Sequence, residues 1–226
     1  MVFWERLLNK QFQVSQLMRH LSLGQTTDRL HPCITISRET GSGGRLVAQQ
    51  VAQALNFSYY DKELVNLIAQ SAHKRRELIK AVDEKTQDAI SSIVNGFLGL
   101  ESLPESAYIK SLTKVVLGIA ASSSAVIVGR GANFVLPKET TLRVRIIAPL
   151  ATRVYYSRLY HKDKTDVELI EKMRQIHQDR KEFVRKYFSK NISSANFYDL
   201  VINMEYYHPP EACKMIVAAF NKRFIK

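Results

Sequence analysis

The sequence predicts an α/β protein: a parallel sheet covered by helices on both faces. Three observations carry this. Short β-branched runs alternate with longer helical patterns, the strand-like runs stop at glycine, proline or asparagine, and one glycine cluster joins an apolar strand to an amphipathic helix. With 226 residues, 46% of them hydrophobic, the chain can bury one substantial core, as a single domain with an insertion or two.

The elements follow in order. Within "MVFWERLLNKQFQVSQLMRHLSL", Phe3, Leu7, Phe12, Val14, Leu17, Met18 and Leu21 recur at roughly helical spacing, and Gly24 followed by "QTTD" reads as the stop. Residues 1–30 are therefore expected to form an amphipathic helical extension. It would pack on its own domain or on a second copy, giving a homodimer, with membrane-surface binding as the alternative. The rest, 31–226, is expected to be one domain. "CITIS" is its first strand, and Val47, Ala48, Val51, Ala52 and Leu55 line one face of the helix after the glycines. "FSYY" is a second strand, ending at Asp61. A mostly helical region spans 62–123, too long for a simple crossover, and is broken near "NGFLGLESLPES" by Gly96, Gly99 and Pro104. "AVIV" running into "GRGA", "LRVRIIA" ending at Pro149 and "YDLVIN" ending at Asn203 complete the strands. A charged helical region from Leu150 to about Lys190 separates the last two, and "EACKMIVAAFNKRF" beyond Pro209-Pro210 reads as a closing helix.

A formal net charge of +12 and a sequence pI near 9.7 would attract polyanions without choosing among them. The two cysteines, Cys33 and Cys213, lack the paired spacing of a zinc or thioredoxin-like site and read as reduced core residues. The N-terminus lacks the apolar core of a signal peptide, and no later run could span a bilayer, so a soluble cytoplasmic protein is expected.

The chemistry starts at "ITISRETGSGGRLVAQQVAQAL". A helix N-terminus leaves backbone N–H groups unpaired at the positive end of the helix dipole, and glycines allow phosphate oxygens to come close. Gly41, Gly43 and Gly44 stand in that position, with Glu39, Thr40 and Ser42 between strand and helix. Against the pattern G-x-x-x-x-G-K-[ST], however, Arg38 takes the first glycine's place, Gly43 the last glycine's, Gly44 the lysine's and Arg45 the hydroxyl residue's. The roles of lysine on the phosphates and of the hydroxyl on magnesium are vacant. Arg38 or Arg45 could supply the cation, and Ser42 or Thr40 a hydroxyl, with Ser42 the candidate for magnesium. A solvated Arg45 in the first turn is the plain alternative.

"ITISRETGSGGRLVA", "LNFSYYDKELVNLIA", "VIVGRGANFVL", "LRVRIIAPLATRV" and "YDLVIN", in this order, resemble the cytidylate kinase-like family of P-loop nucleoside monophosphate kinases, from about Pro32 to the C-terminus. In that family the loop S-R-E-x-G-S-G-G is itself the hallmark. The resemblance implies a five-stranded parallel sheet of order 2-3-1-4-5, a substrate-binding insertion at 62–123 and a lid at 151–195. It implies an enzyme that transfers the γ-phosphate of ATP, with magnesium, to a nucleoside monophosphate. Cytidylate kinases proper keep the lysine.

By the same resemblance Asp61 would face the monophosphate substrate, although this chain continues Lys62-Glu63 where the family has D-[ST]-G; capping the next helix is the alternative. Arg130, at the carboxyl end of a strand, matches an arginine that grips the substrate phosphate, but Gly131 follows where aspartate is frequent. In "MRQIHQDRKEFVRKYFSKN", Arg174, Arg180 and Arg185 are the lid candidates, Arg180 best aligned, and His177 replaces a frequently acidic residue. Their expected role is to neutralise charge on the transferring phosphoryl group; an exposed charged helix is the alternative. Two other functions remain open: a nucleotide-binding regulator that has lost turnover, and a nucleic-acid binder, for which charge is the sole support. Nucleotides are the expected partners; a membrane and nucleic acid are not.

Overall fold

The computed structural model describes residues 30–97 and 104–225. The expected N-terminal helix, and any contact it makes with a second copy, lie outside the described residues. Five strands, β1 (Cys33–Arg38), β2 (Ser58–Tyr60), β3 (Ala125–Val128), β4 (Thr141–Ile147) and β5 (Leu200–Asn203), form one all-parallel sheet of order β2-β3-β1-β4-β5. This is the order that the family resemblance implied.

β1 lies at the centre, with Ile34 in register with Val126 on β3 and Leu142 on β4. Successive side chains of a strand point to opposite faces, so its apolar run serves two cores. Ile34 and Ile36 join Val126, Val144, Ile146 and Ile202 beneath α1 (Gly44–Leu55) and the C-terminal helix Pro209–Phe224. Cys33, Ala125 and Ile127 face the opposite layer.

That second layer is built from the long helical stretch, which divides into α2 (Lys62–Gln70), α3 (Ala72–Lys80), α4 (Glu84–Phe97) and α5 (Pro104–Ser122). Leu112, Val115, Val116, Leu117 and Ile119 of α5 are all fully enclosed, so α5 is apolar around most of its circumference. Gly118 lets it approach α3, since a Cβ there would lie 3.0 Å from the tip of Ile79 and 3.2 Å from Leu78.

The remaining helices are the short α6 (Ala132–Val135), then α7 (Leu150–Arg158), α8 (Asp166–Phe188) and α9, the C-terminal helix. α8 begins with a capping box in which Thr165 and Glu168 exchange side-chain and backbone bonds, and it ends at Ser189 in the left-handed region. No described helix is long and apolar enough to cross a membrane.

Asp199 ties the outer strand to the rest. Its carboxylate accepts from the Arg143 amide (2.8 Å) and pairs with the guanidiniums of Arg143 (2.6 Å) and Arg223 (3.1 Å), joining β4, β5 and α9. Burial opposes its ionisation, but these donors and charges outweigh it and hold its pKa low. Asp199→Asn should cost about 2 kcal/mol in denaturant unfolding, the scale of hydrogen bonds to a charged group. Because the folded-state pKa is depressed, the wild-type advantage is present above the ordinary aspartate value and fades as pH falls through the folded one.

Candidate functional site

The carboxyl ends of β1, β3 and β4 converge, and each runs into a segment shaped for close approach. After β1, Gly41 (φ +82) and Gly43 (φ +74) are left-handed. A Cβ on Gly41 would lie 2.5 Å from the Arg153 carbonyl oxygen on α7, and one on Gly44 would lie 2.7 Å from Cβ of Arg38. Backbone conformation and space therefore both demand glycine at position 41. α1 starts at Gly44 with no side-chain cap on Gly43, so the first-turn amides of Gly44, Arg45 and Leu46 have no acceptor among the described residues. Thr40 Oγ1 is buried without a partner in the same loop.

After β3, three residues in succession are left-handed: Gly129 (φ +81), Arg130 (φ +54) and Gly131 (φ +68). Gly129 makes room for the guanidinium of Arg38, whose Nη1 would lie 2.8 Å from a Cβ there. Gly131 makes room for Phe188, whose ring would lie 2.3 Å from a Cβ. An aspartate at position 131 would have to occupy the space that Phe188 fills. Phe188 belongs to an aromatic group with Phe134 and Phe183, and Arg130 lies over the Phe183 ring at 5.6 Å.

Two cavities open at this edge. One, of about 340 Å3, is walled by residues 38–46, by Tyr156, Ser157, Tyr160 and His161, and by Arg180. The other, of about 360 Å3, is lined by Arg38, Lys62, Arg130, Asn133, Asp179, Arg180 and Phe183, among others. Both have the size of small-molecule sites, and they share Arg38 and Arg180.

The structure distributes the sequence candidates unevenly. Arg180 donates from Nη1 to the Arg38 carbonyl oxygen (2.8 Å), bringing α8 onto the end of β1. Ile176, Phe183 and Val184 line the second cavity with it, at the spacing of one helix face. Arg174 and Arg185 are exposed; Arg185 instead borders a separate depression with Lys181 and Lys190. Arg45 is 68% exposed and pairs with Asp61 at 3.2 Å, while the other Asp61 oxygen caps α2 at the Leu64 amide (3.0 Å). The capping alternative for Asp61 is thus present in the fold, together with an ion pair to Arg45; Arg45 lines the loop cavity, and Asp61 lines neither. Glu39 Oε2 accepts from the Ala148 amide (3.1 Å), stitching the loop to the end of β4. Ser42 is fully enclosed and its hydroxyl donates to the Glu39 carbonyl oxygen (3.0 Å).

Sequence reasoning missed Arg145, Arg153 and Asn133. Arg153 Nε donates to the Thr40 carbonyl oxygen (2.7 Å). Arg145 is only 4% exposed; its Nη1 donates to Ser37 Oγ (2.9 Å) and its guanidinium lies 5.6 Å from the centroid of the Tyr198 ring. Asn133 Nδ2 and Arg130 Nε are buried, without partners, and belong to residues lining the second cavity. Alternation along β4 puts Arg145 on the same face as Arg143 and so could not single it out, and for Arg153 no local signal exists.

The electrostatics follow from this crowding. Burial, then the charges of Arg38, Arg145, Arg130 and Arg153, push Arg180 down to about 9. Burial also lowers Arg38, with Arg130 adding to the effect while Tyr59, Glu63 and Asp61 oppose it. Guanidinium groups stay protonated at neutral pH; burial is the main cause of both shifts, and at Arg180 the four neighbouring guanidiniums add to it. Such a donor set fits a polyphosphate. It fits a resident metal poorly: Ser42 is enclosed, Glu39 and Asp61 are engaged, and among the described residues no group of three or more His, Cys, Asp or Glu could hold an ion.

The cytidylate kinase-like family matches residues 33–206. The chain belongs to the cytidylate kinase-like family. Among solved structures, an uncharacterized protein from Eubacterium ventriosum is similar at a TM-score of 0.61 and 21% identity, covering 85% of this chain and 100% of that one. Shikimate kinase from Bacteroides thetaiotaomicron is similar at a TM-score of 0.43 and 13% identity, covering 84% of this chain and 97% of that one. No curated protein matches the sequence. For this family member the fold is that of a P-loop kinase, with the altered loop in the usual place.

Two outcomes check the local analysis. Gly131→Ala should lower stability by at least about 1–2 kcal/mol from the left-handed backbone alone, with the Phe188 collision added, as read by denaturant unfolding. Burial, the leading cause, holds His177 below its ordinary value of 6.5, although Glu39 opposes this. Acidification below about 6.5 protonates the unfolded chain before the folded one and so costs stability. His177→Asn should flatten the Tm-against-pH curve on that acid side.

Proposed function

We propose that the protein is an ATP-dependent phosphotransferase that moves the γ-phosphate to a nucleoside monophosphate. The observation that carries this reading is the meeting of two cavities at Arg38 and Arg180. The loop cavity would take the triphosphate, its oxygens facing the free amides at the start of α1 and the Thr40 hydroxyl. The second would take the acceptor, whose phosphate would meet Arg130 and Lys62.

Transfer between two phosphate oxygens asks little covalent chemistry of a protein: it needs alignment, and charge neutralisation where the phosphoryl group passes. Arg180, fixed on the Arg38 carbonyl between the cavities, would supply that charge. Residues 151–195 would act as the lid and the 62–123 segment as the acceptor-binding part. Lys62, which lines the second cavity from the start of α2, supports the latter. ATP is the donor in this reading; the magnesium usual for kinases of this fold would ride on its phosphates alone, since the described residues offer no ligand group for the ion.

Coupled ADP-release assays with CMP, dCMP, UMP, AMP and GMP test the reading. Turnover with at least one acceptor is expected, and Arg180→Ala should reduce kcat by about 10²–10³, the usual loss on removing one transition-state charge donor. Release no higher than that of the Arg180→Ala protein with every acceptor would falsify the kinase reading. Stabilisation by ATP in a thermal scan without transfer would leave a nucleotide-binding regulator.

A further inference from the structure

Five guanidiniums gather around the carboxyl end of β1, yet the usual cation of such sites is absent and the chain offers a metal little. Arg38 and Arg180 lie between the two cavities and Arg130 lines the second. Arg153 holds the loop at the Thr40 carbonyl, and Arg145 lies beneath it on Ser37. Against them stand the carboxylates of Glu39, engaged with the Ala148 amide, and Asp179, which accepts from Gln175 Nε2 at 2.7 Å. Asp61 is taken up by Arg45 and the Leu64 amide, and Glu63, whose charge reaches Arg38, pairs with Lys62 at 3.3 Å. Arg145, Arg153 and Arg180 make their hydrogen bonds to a hydroxyl or to backbone carbonyls, and none of the three has a carboxylate partner among the described residues.

A backbone carbonyl fixes a guanidinium in place but leaves its charge uncancelled. In an ordinary phosphate loop, a lysine and a divalent ion together neutralise the triphosphate. Here the protein brings Arg38, Arg45 and Arg180 to the wall of the loop cavity, with Arg130, Arg145 and Arg153 close behind, partly or fully buried, where attraction to an anion is stronger than in water.

We infer that this site binds a nucleoside triphosphate in its metal-free form, the five guanidiniums replacing both the loop lysine and the ion in charge neutralisation. This rests on the reading of the loop cavity as the donor site. Arg145 and Arg153 are positioning residues in it: Arg153 shapes the loop through Thr40, and Arg145 contributes its field from beneath Ser37. A magnesium ion on the triphosphate removes negative charge that these groups would otherwise meet, so it adds no affinity. Crowding also explains why Arg180 contacts a carbonyl and not a carboxylate: an internal counter-ion would compete with the ligand.

Titration calorimetry on the full chain tests this, with ATP in excess EDTA and with ATP in excess magnesium. The expected result is a metal-free Kd equal to or tighter than the magnesium-loaded one, with inorganic tripolyphosphate in EDTA also binding. ATP binding at least tenfold weaker in EDTA than in magnesium overturns the inference and leaves the donor-site reading intact. Binding in neither condition overturns both. Arg153→Gln separates charge from scaffold: the metal-free Kd should rise about tenfold or more while the magnesium-loaded Kd rises less. An equal rise in the two would mean that Arg153 merely shapes the loop and would count against charge replacement. Arg38→Met gives the same comparison where Arg153→Gln fails to fold.

Discussion

The site depends on holding like charges together with only backbone carbonyls and a hydroxyl as direct partners for three of them. Arg38, Arg130, Arg145, Arg153 and Arg180 come from β1, the turn after β3, β4, α7 and α8, so no single element could gather them. What holds three of them is the polar fabric of β1 and its loop: the Arg38 carbonyl, the Thr40 carbonyl and the Ser37 hydroxyl. The apolar layers on both faces of the sheet supply the rigidity against which this repulsion is sustained.

Glycine placement makes the crowding feasible. At position 129 the absent side chain is replaced by the Arg38 guanidinium, at 131 by Phe188 and at 41 by the α7 backbone. Each glycine therefore gives its volume to a group from another element. The departure at Gly131 is not a bare loss of an acidic side chain, because an aromatic ring from the end of α8 stands in the same space.

Much of the fold was legible because its signals are local. "CITIS", "AVIV" and "YDLVIN" are apolar runs closed by polar residues or glycine, and each became a strand within a residue or two. The site was legible in its backbone, since glycines between strand and helix have few other uses. It was less so in its side chains. The lid segment offered three arginines, and helical period alone separates Arg180 from Arg174 and Arg185 once Ile176, Phe183 and Val184 are taken as the inward face. Arg45 and Asp61 are sixteen residues apart and pair only because β2 lies beside β3. Arg153 looks like any charged residue of a surface helix until the sheet brings Thr40 beneath it.

The two thiols lend themselves to a different use. Cys33 is wholly enclosed in the central strand, and burial drives its pKa up to about 12; Cys213, in α9, is also buried and raised. At neutral pH the thiolate share of Cys33 is then on the order of 10⁻⁵, and alkylating reagents attack only thiolates they can reach. Labelling at Cys33 consequently proceeds only when the central strand is uncovered, and at Cys213 when the C-terminal helix lifts. The chain thus carries two native chemical clocks for local opening, one in the sheet and one on its cover, with no probe to be engineered.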